Sequence, residues 1–279
     1  MGFDSPLQLC ALTLASIDKS PGRTKFGEDA ALYDLARPGY PAALFEWLAG
    51  AANLNASSAC FEIGSGTGHA TIPILALPVR SVLAIEPDPN LAARLREKAG
   101  GDARLTVAVE RFEAVALEPA VFDFGFAATA FHWLPRMKSL AKAYGALKPG
   151  GRFAMWWHVF HDPSRPDAFD RAMAGLFEGL EQDPEATAGR PAFALDTASR
   201  LGELRAAGLV DATHRLFSET LTFTPDQLAG LYGTLSRVRM APEAKRENLL
   251  EAVRRIATDS FGGTVPRTVI SSAYIARKV

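Results

Sequence analysis

A chain of 279 residues suits one generous domain or a core domain with an appendage. Its 48% hydrophobic and 22% charged residues are ordinary globular composition, and a formal net charge of −1 gives no bulk attraction to nucleic acid or an anionic membrane surface. Its two cysteines, Cys10 and Cys60, stand in no CxxC or histidine-bearing spacing, so neither a disulfide framework nor a zinc site is expected.

Residues 1–25 read as an N-terminal arm ending in the turn-prone KSPGR. Its apolar run, LQLCALTLA, lacks a basic leader and is too short to span a bilayer, so a soluble, cytoplasmic protein is expected. Residues 26–58 show helical apolar spacing interrupted by RPGYP, which predicts two helices joined by a turn. From there strands and helices alternate. ACFEI, SVLAIE, LTVAVE, VFDFGFAATA and RFAMWWHVF read as strands. HATIPILAL, PNLAARLREKAG and MKSLAKAYGAL read as helices, the last ended by KPGG. Such alternation implies parallel βαβ units and an α/β fold with an open, doubly wound sheet.

Beyond residue 160 the rhythm changes. DAFDRAMAGLFEGLEQ and TASRLGELRAAGL look helical and ATHRLFSETLTF looks like a strand. Two more helices, within 225–239 and 242–258, precede a last strand, RTVISSAYIARK. This helical detour before the last strand reads as an insertion placed to roof an active site.

The segment FEIGSGTG sets Gly64, Gly66 and Gly68 at alternate positions between a strand and a helix. Without a Cβ, such a turn lets a ligand approach the backbone, and the helix start offers unpaired N–H groups. The spacing is GxGxG rather than the GxGxxG of nicotinamide dinucleotide binders. Glu62 precedes the glycines, and Glu86 closes the next strand, where a carboxylate can accept both hydroxyls of a ribose. Any nucleoside, dinucleotides included, would use such an acid.

FEIGSGTG, IEPD, FDFGFAATAFHWL and LKPGGRFAMW, in that order and spacing, resemble the class I S-adenosylmethionine-dependent methyltransferases. More narrowly they resemble a bacterial small-molecule branch, methyltransferase type 11-like, whose fourth strand ends in Phe-His-Trp. YDLARPGYP is similar to that branch's N-terminal lid. The likeness is close over residues 26–160 and general beyond. It implies a Rossmann-like, mostly parallel seven-stranded sheet, with an N-terminal helical lid over 26–58. Residues 59–279 would then form the cofactor domain, carrying helical substrate-cap insertions at about 160–208 and 225–260. It implies S-adenosyl-L-methionine as cofactor and S-adenosyl-L-homocysteine as product, no metal, and a small-molecule methyl acceptor, with no nucleic-acid or membrane partner.

The same resemblance implies site roles. Gly64, Gly66 and Gly68 would line the methionine and ribose portion, Glu62 would hold the amino group and Glu86 the ribose hydroxyls. Phe112, Glu113, Ala130 and Trp133 would lie against the cofactor. Tyr33 and Arg37 of the lid would cover it, Arg37 offering a guanidinium to its carboxylate. Many members carry Asp where this chain has Arg111, so Glu113 or a backbone carbonyl would take over the adenine contact.

Methyl transfer from a sulfonium is an in-line displacement in which the protein aligns a nucleophile and excludes water. His132 and His158 follow the fourth and fifth strands, at the sheet edge where ligands of open α/β sheets bind. They are the candidate catalytic bases, with shaping of the cofactor floor as the other role of His132 and plain packing that of His158. Trp157, Phe160 and Tyr232 are the expected substrate contacts. Two other readings stay open from sequence: a catalytically silent cofactor-binding sensor, and an NAD-dependent oxidoreductase.

Overall fold

The computed structural model describes residues 34, 36–160, 162, 165–178, 180 and 192–279. The arm over 1–25, most of the first lid helix and Tyr33 lie outside the described residues. Residues 37–41 form the turn carrying RPGYP, and α1 (Ala42–Ala52) follows it.

Seven strands then build one sheet: β1 (Ala59–Ile63), β2 (Ser81–Ile85), β3 (Leu105–Ala108), β4 (Phe122–Ala128), β5 (Leu147–Val159), β6 (Leu209–Phe223) and β7 (Val265–Lys278). Their spatial order is β3-β2-β1-β4-β5-β7-β6. The pairs from β3 to β5 are parallel, while β7 runs antiparallel to both β5 and β6. All five residues of β1 are buried, as expected of a central parallel strand covered on both faces. At the opposite extreme, edge strand β6 is mostly half-buried or exposed, with Leu209, Phe217 and Phe223 its buried positions.

The helices α2 (Thr71–Ala76), α3 (Pro89–Ala99) and α4 (Arg136–Ala146) connect successive parallel strands, with α6 (Thr197–Ala206) leading into β6. Local sequence fixes α3 at both ends. Asp88 accepts from the Asn90 and Leu91 amides, Pro89 occupies the first turn, and Gly100 closes it in the left-handed region at φ 58°. One face of the sheet packs on α1 and α2 through Leu44, Leu48 and Ile74. The other packs on α4 and α6 through Leu140, Ala143 and Leu204.

A third apolar cluster joins α5 (Ala168–Ala172), α7 (Pro225–Gly233), α8 (Ser236–Arg239) and α9 (Glu243–Phe261) to the ends of β6 and β7. Its polar centre is Arg267, buried, which donates to Asp167, Asp170, the Tyr232 hydroxyl and the Phe160 carbonyl at 2.6–2.8 Å.

Two expectations need correction. KPGG does not merely end a helix. It lies within the first part of β5, where the pairing register shifts from Phe122↔Leu147 to Phe124↔Arg152. The helix expected over DAFDRAMAGLFEGLEQ is short: α5 begins at the reciprocal Asp167–Asp170 cap and yields to turns by Met173, with Gly175 at φ 88°.

Candidate functional site

One cavity lies at the carboxyl ends of β1, β2, β4 and β5, where the strand order reverses between β1 and β4. Its floor is the glycine turn. Gly64, Gly66 and Gly68 all have positive φ, at 67°, 54° and 91°. Their surroundings differ. A Cβ on Gly66 would meet nothing within 4 Å, so this backbone is open to a ligand. A Cβ on Gly68 would sit 2.6 Å from Leu95 Cδ1, and Gly68 is not in the cavity wall. It lets the turn pack on α3.

Two carboxylates frame this turn. Glu86 is 5% exposed and accepts from the Gly66 amide at 2.7 Å and the Asp88 amide at 2.9 Å. Burial pushes it up to about 7, against the pull of those two amides. Glu62 is 1% exposed, and its Oε2 accepts from the Thr71 hydroxyl at 2.5 Å. Its other oxygen is buried at the cavity with no hydrogen-bond partner. Burial pushes Glu62 up to about 8, opposed by Thr71 and reinforced by the charge of Glu86. A buried carboxylate oxygen without a partner is the kind of group a cationic or N–H-bearing ligand would satisfy.

At the far end of this half, Phe112, Arg111 and Glu113 line the wall. Phe112 is buried and lies parallel to Phe61, ring centroids 6.4 Å apart. Lys142 of α4, missed in the sequence, fixes this segment by donating to the carbonyls of Phe112, Glu113 and Val115 at 2.5–3.1 Å.

The 34–41 segment crosses over the cavity. Asp34 accepts from the Thr67 hydroxyl and from Lys98 of α3, both at 2.7 Å. His69 Nε2 lies 3.1 Å from the same oxygen, an electrostatic contact rather than an aligned hydrogen bond. Arg37 lines the cavity and donates from Nε to the Thr234 hydroxyl at 2.8 Å, beside the end of α7. Tyr40, present in the quoted lid pattern but not singled out, exchanges a 2.7 Å hydrogen bond with Thr129. Thr129 itself, at φ 51° after β4, carried no signal in the sequence.

His158 lines the cavity with both ring nitrogens engaged. Nε2 lies 3.2 Å from the Gly39 carbonyl, and Nδ1 lies 3.0 Å from the Ser271 hydroxyl. A carbonyl only accepts, so Nε2 carries the proton and Nδ1 takes the hydroxyl hydrogen of Ser271. Burial drives His158 down to about 4, so it is neutral at pH 7. In this arrangement the lone pair of His158 is taken by Ser271.

His132 stands in a short 3₁₀ turn, Phe131–Trp133, after β4. It lines the cavity beside Ala130 and Trp133. Behind it, Trp157 Nε1 donates to His132 Nδ1 at 3.0 Å. Trp157 is buried and is not part of the cavity wall. Tyr232 is likewise buried away from the cavity, tied to Arg267, and Phe160 sits outside the wall beneath the Arg37 guanidinium, 5.4 Å from its ring. Among the described residues, no group of three or more His, Cys, Asp or Glu is placed to hold a metal ion, and no helix is long and apolar enough to cross a membrane.

Residues 61–155, which build the floor and both carboxylate positions, match the family described as "Methyltransferase domain". The chain is 27% identical over 263 residues to an uncharacterized methyltransferase of Schizosaccharomyces pombe, spanning 92% of this chain and 98% of the relative. Its fold is similar to that of a putative type II methyltransferase from Anaeromyxobacter dehalogenans, at 22% identity and TM-score 0.58, covering 87% of this chain and 97% of that one. A Haemonchus contortus phosphoethanolamine N-methyltransferase, solved with S-adenosylhomocysteine and phosphomonomethylethanolamine, shares the fold at 17% identity and TM-score 0.52. That likeness covers 90% of this chain and 57% of the other. The Rossmann-like, mostly parallel seven-stranded sheet is the expected one.

Proposed function

We propose that this chain is a methyltransferase that binds S-adenosylmethionine across the glycine turn and moves its methyl group to a small molecule held between the turn, residues 37–41 and the ends of β4 and β5. The observation that carries the reading is the partnerless buried oxygen of Glu62, set beside the open backbone of Gly66 and the second carboxylate, Glu86. The residues fit the cofactor. An α-ammonium satisfies Glu62, ribose hydroxyls suit Glu86, and Phe112 and Glu113 bound the adenine end. The cofactor supplies a methyl group already activated by sulfonium charge, so the protein's part is to position the acceptor and exclude water.

In this reading, residues 34–41 are the lid. Its contacts to Thr67, Lys98, Thr129, His158 and Thr234 tie it to the cofactor half, to the sheet and to α7. The cap formed by α5 and α7–α9 meets the lid at Thr234, whose hydroxyl accepts from Arg37.

Titration calorimetry with S-adenosylmethionine, S-adenosylhomocysteine and NAD tests the proposal. The first two are expected to bind and NAD is not. Glu86→Ala is expected to weaken binding by about 1–3 kcal/mol, the scale for losing hydrogen bonds to a charged group. Preferential NAD binding, or an unchanged affinity in the variant, would sink it.

A further inference from the structure

Thr71 opens α2, is fully buried and does not belong to the cavity wall that Glu62 helps to form. Threonines at helix starts often serve as caps. Here the capping position belongs to Ala70, and no side chain caps the helix. The Thr71 hydroxyl reaches back across the glycine turn instead. It donates to Glu62 Oε2 at 2.5 Å, nine positions earlier in the chain.

That bond divides the two oxygens of Glu62. Oε2 is held by Thr71, and Oε1 is buried with no hydrogen-bond partner. A carboxylate can accept through either oxygen, so fixing one of them decides which is left for a ligand. Burial favours the neutral carboxyl, while the Thr71 hydrogen bond favours the ionised form that an ammonium group needs. The backbone of the turn is held by other groups. The Gly64 amide donates to the Ile85 carbonyl at 2.8 Å and the Gly68 amide to the Ser65 carbonyl at 3.0 Å. The Gly66 amide donates to Glu86 at 2.7 Å. None of these bonds involves the Thr71 hydroxyl.

We propose that Thr71 is a positioning residue that holds Glu62 with Oε1 directed at the α-amino group of the cofactor, so that a side chain outside the cavity sets the affinity for that amino group. The proposal rests on the cofactor reading above. Thr71 makes no contact with the ligand itself. Removing its hydroxyl releases Glu62 and leaves the seats of the ribose and the adenine in place.

The test is titration calorimetry of the full-length protein at neutral pH with S-adenosylhomocysteine and with its analogue lacking only the α-amino group. Thr71→Val keeps the shape of the side chain and removes the hydroxyl. It is expected to weaken S-adenosylhomocysteine about tenfold and the analogue less than about twofold. Thr71→Ser, which restores the hydroxyl, is expected to bind S-adenosylhomocysteine within about twofold of the unmodified protein. On a Glu62→Gln background, Thr71→Val is expected to add less than about twofold. Equal weakening of the two ligands overturns the proposal, because Thr71 would then only brace the turn. So does weakening of neither, a serine variant as weak as the valine one, or an undiminished loss on the Glu62→Gln background. If Thr71→Val does not fold, the crystal structure of the unmodified protein with S-adenosylhomocysteine decides. Thr71 within about 3 Å of Oε2 and the amino group on Oε1 supports the proposal, and an amino group on Oε2 with the hydroxyl displaced overturns it. Absence of S-adenosylhomocysteine binding in the unmodified protein overturns the cofactor reading and this proposal with it. Every other adverse outcome overturns the role of Thr71 alone.

Discussion

The imidazole of His158 lies nearly parallel to the ring of Tyr40, centroids 4.2 Å apart at 22°, while its Nε2–H donates to Gly39, the residue before that tyrosine. A strand-end histidine is thus a latch for the segment crossing the cavity. Because its folded value is depressed from 6.5 to about 4, its contribution to stability is full above pH 6.5 and is lost as pH falls towards 4. That contribution is at most about 3 kcal/mol. Thermal melts of the wild type and of His158→Phe, which keeps the stacking, should differ most above pH 6.5 and converge towards pH 4. A constant gap would mean that the ring only packs.

Glu62 and Glu86 titrate in the opposite sense. Their folded values are raised from 4.5 to about 8 and 7, so they destabilise the empty protein as pH rises from 4.5 through that range. An α-ammonium placed against Glu62 favours its ionised form and expels a proton. Calorimetry of S-adenosylhomocysteine at pH 7, in two buffers of different ionisation enthalpy, should show net proton release. Glu62→Gln should remove most of it. Proton uptake on binding would contradict the assignment of Glu62.

Gly66→Ala and Gly68→Ala separate ligand contact from packing. Both force a side chain into a positive-φ position. Only at Gly68 does the new Cβ collide, with Leu95, so this variant should lose about 1–3 kcal/mol of stability more than the other. Gly66→Ala should instead lose cofactor affinity. Denaturant melts and titrations of the two variants check the distinction.

Tyr232 anchors the cap through Arg267 and does not reach the cavity. Tyr232→Phe removes one hydrogen bond to a charged group and should cost about 1.5–3 kcal/mol of stability. Arg267→Met leaves Asp167 and Asp170 without their buried partner, and about 3–5 kcal/mol is expected. Melts of both variants check the order. In Tyr232→Phe, a raised KM at unchanged stability would return the tyrosine to the substrate side.

The parts legible in the sequence are those in which one residue's chemistry decides local structure. The αβ alternation, the Asp88–Pro89 helix start and the two acids around the glycines are of this kind. What the sequence left hidden depends on direction. Trp157 was readable as an aromatic on a strand next to the site, but not that it points away from the cavity and reaches it only through His132. Gly68 shares its residue type and its positive φ with Gly66, and only the position of Leu95 on α3 separates them. Tyr232 is placed by a buried arginine thirty-five residues further along the chain, beyond the reach of any local pattern.

The most direct test of the account is the crystal structure of the S-adenosylhomocysteine complex. The account expects the amino group within about 3 Å of Glu62 and the ribose hydroxyls within about 3 Å of Glu86, with the ligand lying over Gly66. A ligand seated elsewhere, or one that leaves the Glu62 oxygen without a partner, would contradict it.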